Sequence, residues 1–181
     1  MKALFLDHDG VICLAQQWGG RFKKPGFDSN PDTPMDIRND NFDKKAVKVL
    51  NDIIQETGCE IITSTDWRRR STLQQMQTMY VTRGIKPPVD MTGIFSELLK
   101  QDKVPGHFEF TFDNELEIER SCVILHWLSE HPEVTHWVAV DDLDLSLHDG
   151  WGLTNFVQTP RSREGIKQIG IKEKIIKHLL S

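Results

Sequence analysis

Three short, largely apolar segments constrain the fold of this chain most, because each ends abruptly in acidic or hydroxyl side chains. They are residues 3–6, 60–63 and 137–140, which lead into Asp7-His8-Asp9-Gly10, Ser64 and Asp141-Asp142. Apolar runs of this length are typical of strands that are buried on both faces of a parallel sheet. We therefore predict a buried sheet whose strands end in polar side chains.

Amphipathic segments separate the predicted strands. Asp43 is a helix N-cap candidate, apolar residues follow it at helical spacing from Ala46 to Ile54, and Gly58 lies where a helix commonly ends. Further predictions are helices over residues 71–83, through 122–128 and over 166–180, and a strand over 155–158. Strands that alternate with helices indicate an α/β fold with a mostly parallel sheet covered on both faces.

Two irregular segments interrupt this pattern. At 181 residues the chain is expected to form a single domain, residues 1–181. Residues 13–42 and 84–118 lack clear periodicity and are predicted to be loop or cap insertions, with a short strand possible over 107–112. Long loops in compact domains are often functional, so residues 13–42 are a candidate lid.

Composition narrows the class of protein. A hydrophobic content of 38% and a charged content of 27% are typical of a soluble globular domain. The net charge of −5 argues against a broad basic surface for nucleic acid, but it leaves room for a small basic phosphate pocket. The apolar start is too short for a signal peptide, and the three scattered cysteines indicate reduced thiols, so a cytoplasmic location is expected.

The polar strand ends are expected to form one site. The carboxyl ends of parallel strands lie along one edge of a sheet, which is where α/β proteins bind ligands. Carboxylates gathered there repel one another unless a cation such as Mg²⁺ joins them. Asp7 and Asp9, one residue apart, can also supply a nucleophile and a general acid and base.

Each motif alone has a simpler interpretation. Asp7 to Gly10 is also typical of a solvated turn, Ser64 of a turn or cap, and Asp141-Asp142 of a helix cap. Their agreement in order favours function. Arg68 is open between a phosphate contact and a solvated helix start, whereas Trp67 is interpreted as packing and His8 receives no catalytic role.

The ordered motifs resemble a known family. The chain holds four motifs in order: four apolar residues before D-x-D-G, an apolar run before serine, a basic residue before a helix, and an apolar run before D-D. Together they resemble the haloacid dehalogenase (HAD) superfamily of phosphohydrolases. More narrowly, Phe42-Asp43, Glu56-Thr57-Gly58, Ser64 with Trp67-Arg68, and residues 137–142 resemble phosphatase domains of RNA-repair-like proteins. The resemblance implies a Rossmann-like three-layer sandwich with a small or absent cap.

The same resemblance implies residue roles. Asp7 would attack phosphorus, while Asp9 would act as acid and base and help hold Mg²⁺ through its backbone carbonyl. Ser64 would bind a phosphoryl oxygen. Asp142 would be the last metal ligand together with Asp7 and Asp9, and Asp141 beside it would either bind the metal or support a ligand. Arg120 is the candidate for the basic phosphate-binding position, which more often holds a lysine, so two lysines remain open beside it. These are Lys100 and Lys103.

The resulting hypothesis is a Mg²⁺-dependent phosphomonoesterase that forms an aspartyl-phosphate on Asp7. Its substrate would be macromolecular, either a phosphoprotein such as a phosphotyrosine protein or a nucleic-acid 3′-phosphate end, with a small metabolite less favoured. The alternative is a signalling module without catalysis, either receiver-like or a degenerate phosphate-binding domain. Receivers usually place the phosphorylated aspartate on a later, central strand. The oligomeric state is left open.

Overall fold

Parallel strand pairing organises the protein. The computed structural model describes residues 1–14, 42–101, 103, 115–146 and 152–181. Its strands are β1 (Lys2–Leu6), β2 (Glu60–Thr63), β3 (Asp90–Met91), β4 (His136–Asp141) and β5 (Phe156–Gln158). They form a five-stranded sheet in the order β3-β2-β1-β4-β5, and every pairing in it is parallel. The predicted α/β class and parallel sheet are confirmed.

Helices connect the strands. They are α1 (Lys44–Thr57), α2 (Leu73–Thr82), α3 (Phe95–Lys100), α4 (Glu115–Glu130) and α5 (Ile171–Leu180), with 3₁₀ turns over Asp66–Arg69 and Gly165–Lys167. Helix α1 begins as predicted, because the Asp43 carboxylate accepts hydrogen bonds from the backbone N–H groups of Lys45 and Ala46. It ends at Gly58, whose φ of 68° is the left-handed conformation that glycine adopts readily.

The two faces of the sheet bury different side chains. Leu4 and Leu6 pack in one apolar cluster with residues of α1, α2 and α5. Ala3 and Phe5 point to the opposite face, where they pack with α4 residues that include Trp127. The rings of Phe5 and Trp127 meet edge to face at 5.3 Å. Helices on both faces of the sheet give the three-layer arrangement predicted from the sequence.

The predicted element boundaries were wrong in two places. Helix α5 begins at Ile171 rather than at residue 166, because the N–H of Ile166 donates to the carbonyl of Val11 and ties that segment to the loop after β1. The segment 84–118 is also more regular than predicted, since it contains β3, α3 and the first turn of α4. Arg120 therefore lies inside α4 and does not precede it.

Several predictions concern residues outside those described. The candidate lid, residues 13–42, falls there except for its two ends, and so does the possible strand over 107–112. Among the helices that are described, none is long and apolar enough to cross a membrane.

Candidate active site

Three carboxylates meet at the carboxyl edge of the sheet. Asp7, Asp141 and Asp142 each bring an oxygen to within 4.8 Å of the other two. Strands β1 and β4 are neighbours, and the N–H of Asp7 continues their pairing by donating to the carbonyl of Val140 at 3.0 Å. The parallel register thus brings together acids that are far apart in the sequence.

Arg120 links this group to a third strand. Its Nη1 lies 3.0 Å from Asp7 Oδ1 and 2.8 Å from Asp141 Oδ2, and it donates to the backbone carbonyl of Ser64. Nη2 lies 3.6 Å from Asp66 Oδ1. Burial by itself lowers the pKa of Arg120, but the carboxylates of Asp141, Asp7 and Asp66 outweigh it and raise the pKa. The guanidinium is therefore a fixed positive charge between β1, β2 and β4.

The remaining basic candidates lie elsewhere. Lys100 is exposed at the last position of α3. The Nζ of Lys103 lies 3.6 Å from Glu130, at the C-terminal end of α4. Of the three basic residues considered for the phosphate-binding position, Arg120 is the one whose contacts with Asp7 and Asp141 are seen.

The acids hold more negative charge than Arg120 balances. Burial raises the pKa of Asp141 well above its ordinary value, and Asp7 adds to the increase while Arg120 opposes it. Burial and Asp7 likewise raise the pKa of Asp142, against the attraction of Arg161, whose Nε lies 3.1 Å from Asp142 Oδ2. A further cation at this point would favour the ionised carboxylates.

A hard divalent cation fits this donor set. The three ligand atoms are all carboxylate oxygens, which Mg²⁺ prefers to nitrogen or sulfur. Asp7 and Asp142 also line a cleft of about 200 Å³, which leaves space for water and substrate ligands. The residues that line the cleft are Asp7, Asp9, Gly10, Cys13, Asp66, Leu116, Arg120, Asp142, Leu143 and Arg161.

The loop after β1 turns sharply beneath the cleft. The carbonyl of His8 accepts hydrogen bonds from the N–H groups of Val11, Ile12 and Cys13. Gly10 has a φ of 77°, and a Cβ built on it would lie 2.6 Å from the Cβ of Asp142. The close approach of Asp142 to this backbone therefore requires glycine.

Asp9 lies in the cleft but outside the three-carboxylate group. Its Oδ2 accepts a hydrogen bond from the indole Nε1 of Trp67 at 3.1 Å. Its backbone forms a bridge with Cys13 within the same turn. The two carboxylates of the D-x-D pair are thus held by different partners, Asp7 by Arg120 and Asp9 by Trp67.

An aromatic cluster packs behind the turn. His8 is fully buried, and its Nε2 forms a 2.6 Å hydrogen bond with the hydroxyl of Tyr80. Burial, with a smaller effect of the Arg120 charge, lowers the pKa of His8 to about 3, so the imidazole is neutral at ordinary pH. Its ring meets the Trp67 ring edge to face at 4.6 Å, and Phe42 stacks on Trp67 at 5.7 Å.

Ser64 lies at the end of β2, next to β1. Its N–H donates to the carbonyl of Leu6 at 2.9 Å, and its hydroxyl accepts a hydrogen bond from Thr92 Oγ1 at 3.4 Å. The structure therefore brings the Ser64 backbone to Arg120 and to the carboxyl edge, as the motif order predicts.

Arg68 is buried against backbone carbonyls. Its Nη1 donates to Thr65 O at 2.7 Å and its Nε to Gly93 O at 3.1 Å. Burial is the main cause that lowers the pKa of Arg68, to about 10. These contacts hold the 3₁₀ turn that carries Trp67, and the phosphate contact predicted for Arg68 stays a prediction.

Sequence reasoning missed two residues that contact the acids of the site. Arg161 received no role, and Trp67 was interpreted as packing alone. Arg161 follows β5 at the same sheet edge as the acids, and this position after a predicted strand was the signal that could have found it. The bond from Trp67 to Asp9 has no local sequence signal, because it depends on two loops meeting.

Most of the chain matches a known protein family. The family model described as "HAD domain in Swiss Army Knife RNA repair proteins" matches residues 3–168. That range includes β1 from its second residue, the whole of the other four described strands and the 3₁₀ turn over Gly165–Lys167. Neither the curated proteins nor the solved structures gave a significant match.

Proposed function

The chain belongs to this family of HAD domains, and from that premise we propose that it is a Mg²⁺-dependent phosphomonoesterase that forms an aspartyl-phosphate. One observation carries the proposal. An oxygen of Asp7 lies within 4.8 Å of oxygens of Asp141 and Asp142, and Asp7 Oδ1 is held at 3.0 Å by the buried guanidinium of Arg120. This arrangement combines an activated carboxylate, a place for a cation and a fixed positive charge.

We propose a phosphorylated nucleic-acid end, specifically an RNA 3′-phosphate, as the substrate. The description of the family names RNA repair proteins, which supports this class over a phosphoprotein. Two arginines, Arg120 and Arg161, line the cleft and supply local positive charge in a chain of net charge −5. Two arginines placed among carboxylates suit a single terminal phosphate rather than a long stretch of backbone.

The metal would be held by carboxylates already in place. Asp7, Asp141 and Asp142 would be its ligands, and the carbonyl of Asp9 would join them as the family resemblance implies. When bound, the cation neutralises charge on the phosphate so that an anionic nucleophile can approach.

In the first step, a carboxylate oxygen of Asp7 attacks phosphorus while the bond from phosphorus to the leaving oxygen breaks. Asp9, protonated, donates its proton to that leaving oxygen. Arg120 keeps the Asp7 carboxylate oriented from 3.0 Å, and the Ser64 hydroxyl donates to a phosphoryl oxygen. The first product leaves as an alcohol.

In the second step, Asp9 acts as a base. It takes a proton from a water molecule, whose oxygen forms the new bond to phosphorus. The bond between phosphorus and the Asp7 oxygen breaks, so inorganic phosphate leaves and the Asp7 carboxylate is restored. Asp9 is protonated again and ready for the next cycle.

The experiment measures hydrolysis of para-nitrophenyl phosphate and of a 3′-phosphorylated oligoribonucleotide with Mg²⁺, with EDTA and in the Asp7→Asn variant. We expect Mg²⁺-dependent turnover that falls about 1000-fold or more in the variant, as it does when a covalent nucleophile is removed. Asp144→Asn makes the same change of charge at a loop acid that is bonded to Ser146, and it should leave turnover unchanged.

Other outcomes decide between the alternatives. Full activity in Asp7→Asn would exclude the aspartyl-phosphate mechanism. Turnover of a phosphotyrosine peptide in preference to the oligonucleotide would move the substrate to phosphoproteins. Inactivity on all three substrates would favour the phosphate-binding module without catalysis.

A further inference from the structure

Two rings of the aromatic cluster hold the Trp67 ring in place. Phe42 stacks on it with a ring separation of 5.7 Å and an angle of 15°. His8 meets it edge to face at 4.6 Å, and His8 is itself held by the hydroxyl of Tyr80 at 2.6 Å. The indole therefore has a defined orientation before any substrate binds.

The backbone that carries Trp67 is fixed as well. The Thr65 side chain caps the 3₁₀ turn by accepting a hydrogen bond from the Trp67 N–H at 3.4 Å. Arg68 ties the same turn to Gly93, and the N–H of Arg70 donates to the carbonyl of Trp67 at 2.9 Å. The contacts of the Trp67 ring and of its backbone therefore fix the direction in which the indole N–H points.

The indole N–H points at one carboxylate oxygen of Asp9, the proposed general acid and base. Trp67 Nε1 donates to Asp9 Oδ2 at 3.1 Å. An indole N–H is a donor only, so Asp9 Oδ2 is the acceptor of this bond.

We propose that Trp67 is a positioning residue, which holds the Asp9 carboxylate in the orientation from which it works as acid and base in the cleft. This inference rests on the proposed function, because it needs Asp9 to act as acid and base. It assigns to Trp67 a part in the reaction that packing alone does not require.

The test exploits the leaving group. A nitrophenolate leaves without needing a proton, whereas the phenolate of unsubstituted phenyl phosphate benefits from a general acid. The value of kcat/KM reports the steps up to departure of this group. We expect Trp67→Phe to lower kcat/KM about 10-fold or more for phenyl phosphate and by less than about 2-fold for para-nitrophenyl phosphate, a selective loss of acid catalysis.

The chain offers a matched control. The Nε1 of Trp127 donates to the Asp90 carboxylate at 2.7 Å, and neither residue lines the catalytic cleft. Trp127→Phe removes the same kind of bond and should leave the ratio of the two kcat/KM values unchanged.

A second variant separates the hydrogen bond from packing. β-(3-Benzothienyl)alanine, placed at position 67 by suppression of a stop codon, keeps the shape of the bicyclic ring and removes the N–H. It should reproduce the selective loss on phenyl phosphate even if Trp67→Phe fails to fold.

Two results would overturn the inference: an equal loss on both substrates, or no loss on either. Both are seen only in an active enzyme, so they leave the proposed function standing. Failure of the proposed function would give a different result, namely retained turnover in Asp7→Asn.

Discussion

At the scale of single residues, two buried arginines show how partners decide a role. Arg120 contacts the carboxylates of Asp7 and Asp141, so its charge belongs to the site. Arg68 donates to the carbonyls of Thr65 and Gly93, which would be left without these bonds if it moved to a phosphate. Both were candidates for the same task in the sequence.

The structural part of Arg68 can be measured. We expect Arg68→Ala to lower the free energy of unfolding by about 2 kcal/mol, because two carbonyls lose charged donors. The KM for para-nitrophenyl phosphate should change little. Denaturant unfolding and steady-state kinetics check these two expectations, with the exposed neighbour variant Arg70→Ala as control. A several-fold rise in KM would instead support the phosphate contact.

At the scale of elements, the loop after β1 depends on the C-terminal part of the chain. The Thr159 hydroxyl donates to the carbonyl of Gly10 at 3.1 Å, and the N–H of Ile166 donates to the carbonyl of Val11 at 3.0 Å. Asp142, after β4, lies directly against Gly10. The loop that carries Asp9 therefore keeps its shape through contacts from β4, β5 and the segment beyond.

A pair of glycine substitutions isolates this contact. Gly58 has a positive φ, and no atom lies within 4 Å of a Cβ added there. We therefore expect Gly58→Ala to lower the free energy of unfolding by about 1 kcal/mol and to leave activity unchanged. Gly10→Ala adds a clash with Asp142 and should cost about 2–4 kcal/mol and most of the activity. Equal effects of the two variants on stability and turnover would show that the approach of Asp142 does not matter.

At the scale of the whole molecule, the site joins the ends of distant strands. Asp7, Ser64 and Asp142 follow β1, β2 and β4, and Arg120 reaches them from α4. Burial and the nearby charge of Asp7 raise the pKa values of Asp141 and Asp142, so we expect their ionised forms to lower the stability of the fold. A ligand that binds this group should therefore stabilise the entire fold.

We expect Mg²⁺ to raise the free energy of unfolding by about 2.7 kcal/mol when its free concentration is about 100 times its Kd. Asp142→Asn should abolish this gain and, without metal, should be more stable than the original protein, because it removes one of three crowded charges. Thermal unfolding with EDTA and with Mg²⁺ measures both. A full Mg²⁺ gain in the variant would contradict the proposed ligand set.

The sequence by itself determined the elements whose signals are local. Apolar runs defined β1, β2 and β4, and Asp43 and Gly58 bounded α1, because burial and capping act within a few residues. The meeting of the acids could also be predicted, because the carboxyl ends of parallel strands lie at the same edge of a sheet. Helix α3 and strand β3 escaped prediction because they are short, and β3 exists through its pairing with β2.

The packing of distant elements, in contrast, set the partners of the polar side chains in the site. It brought Arg120 to Asp7, turned Arg68 toward carbonyls and joined Trp67 to Asp9. These contacts link loops and helices that lie far apart in the chain, so no local pattern encodes them. The physical reason is that a buried charge or donor takes whichever partner the packing of distant elements brings within hydrogen-bonding reach.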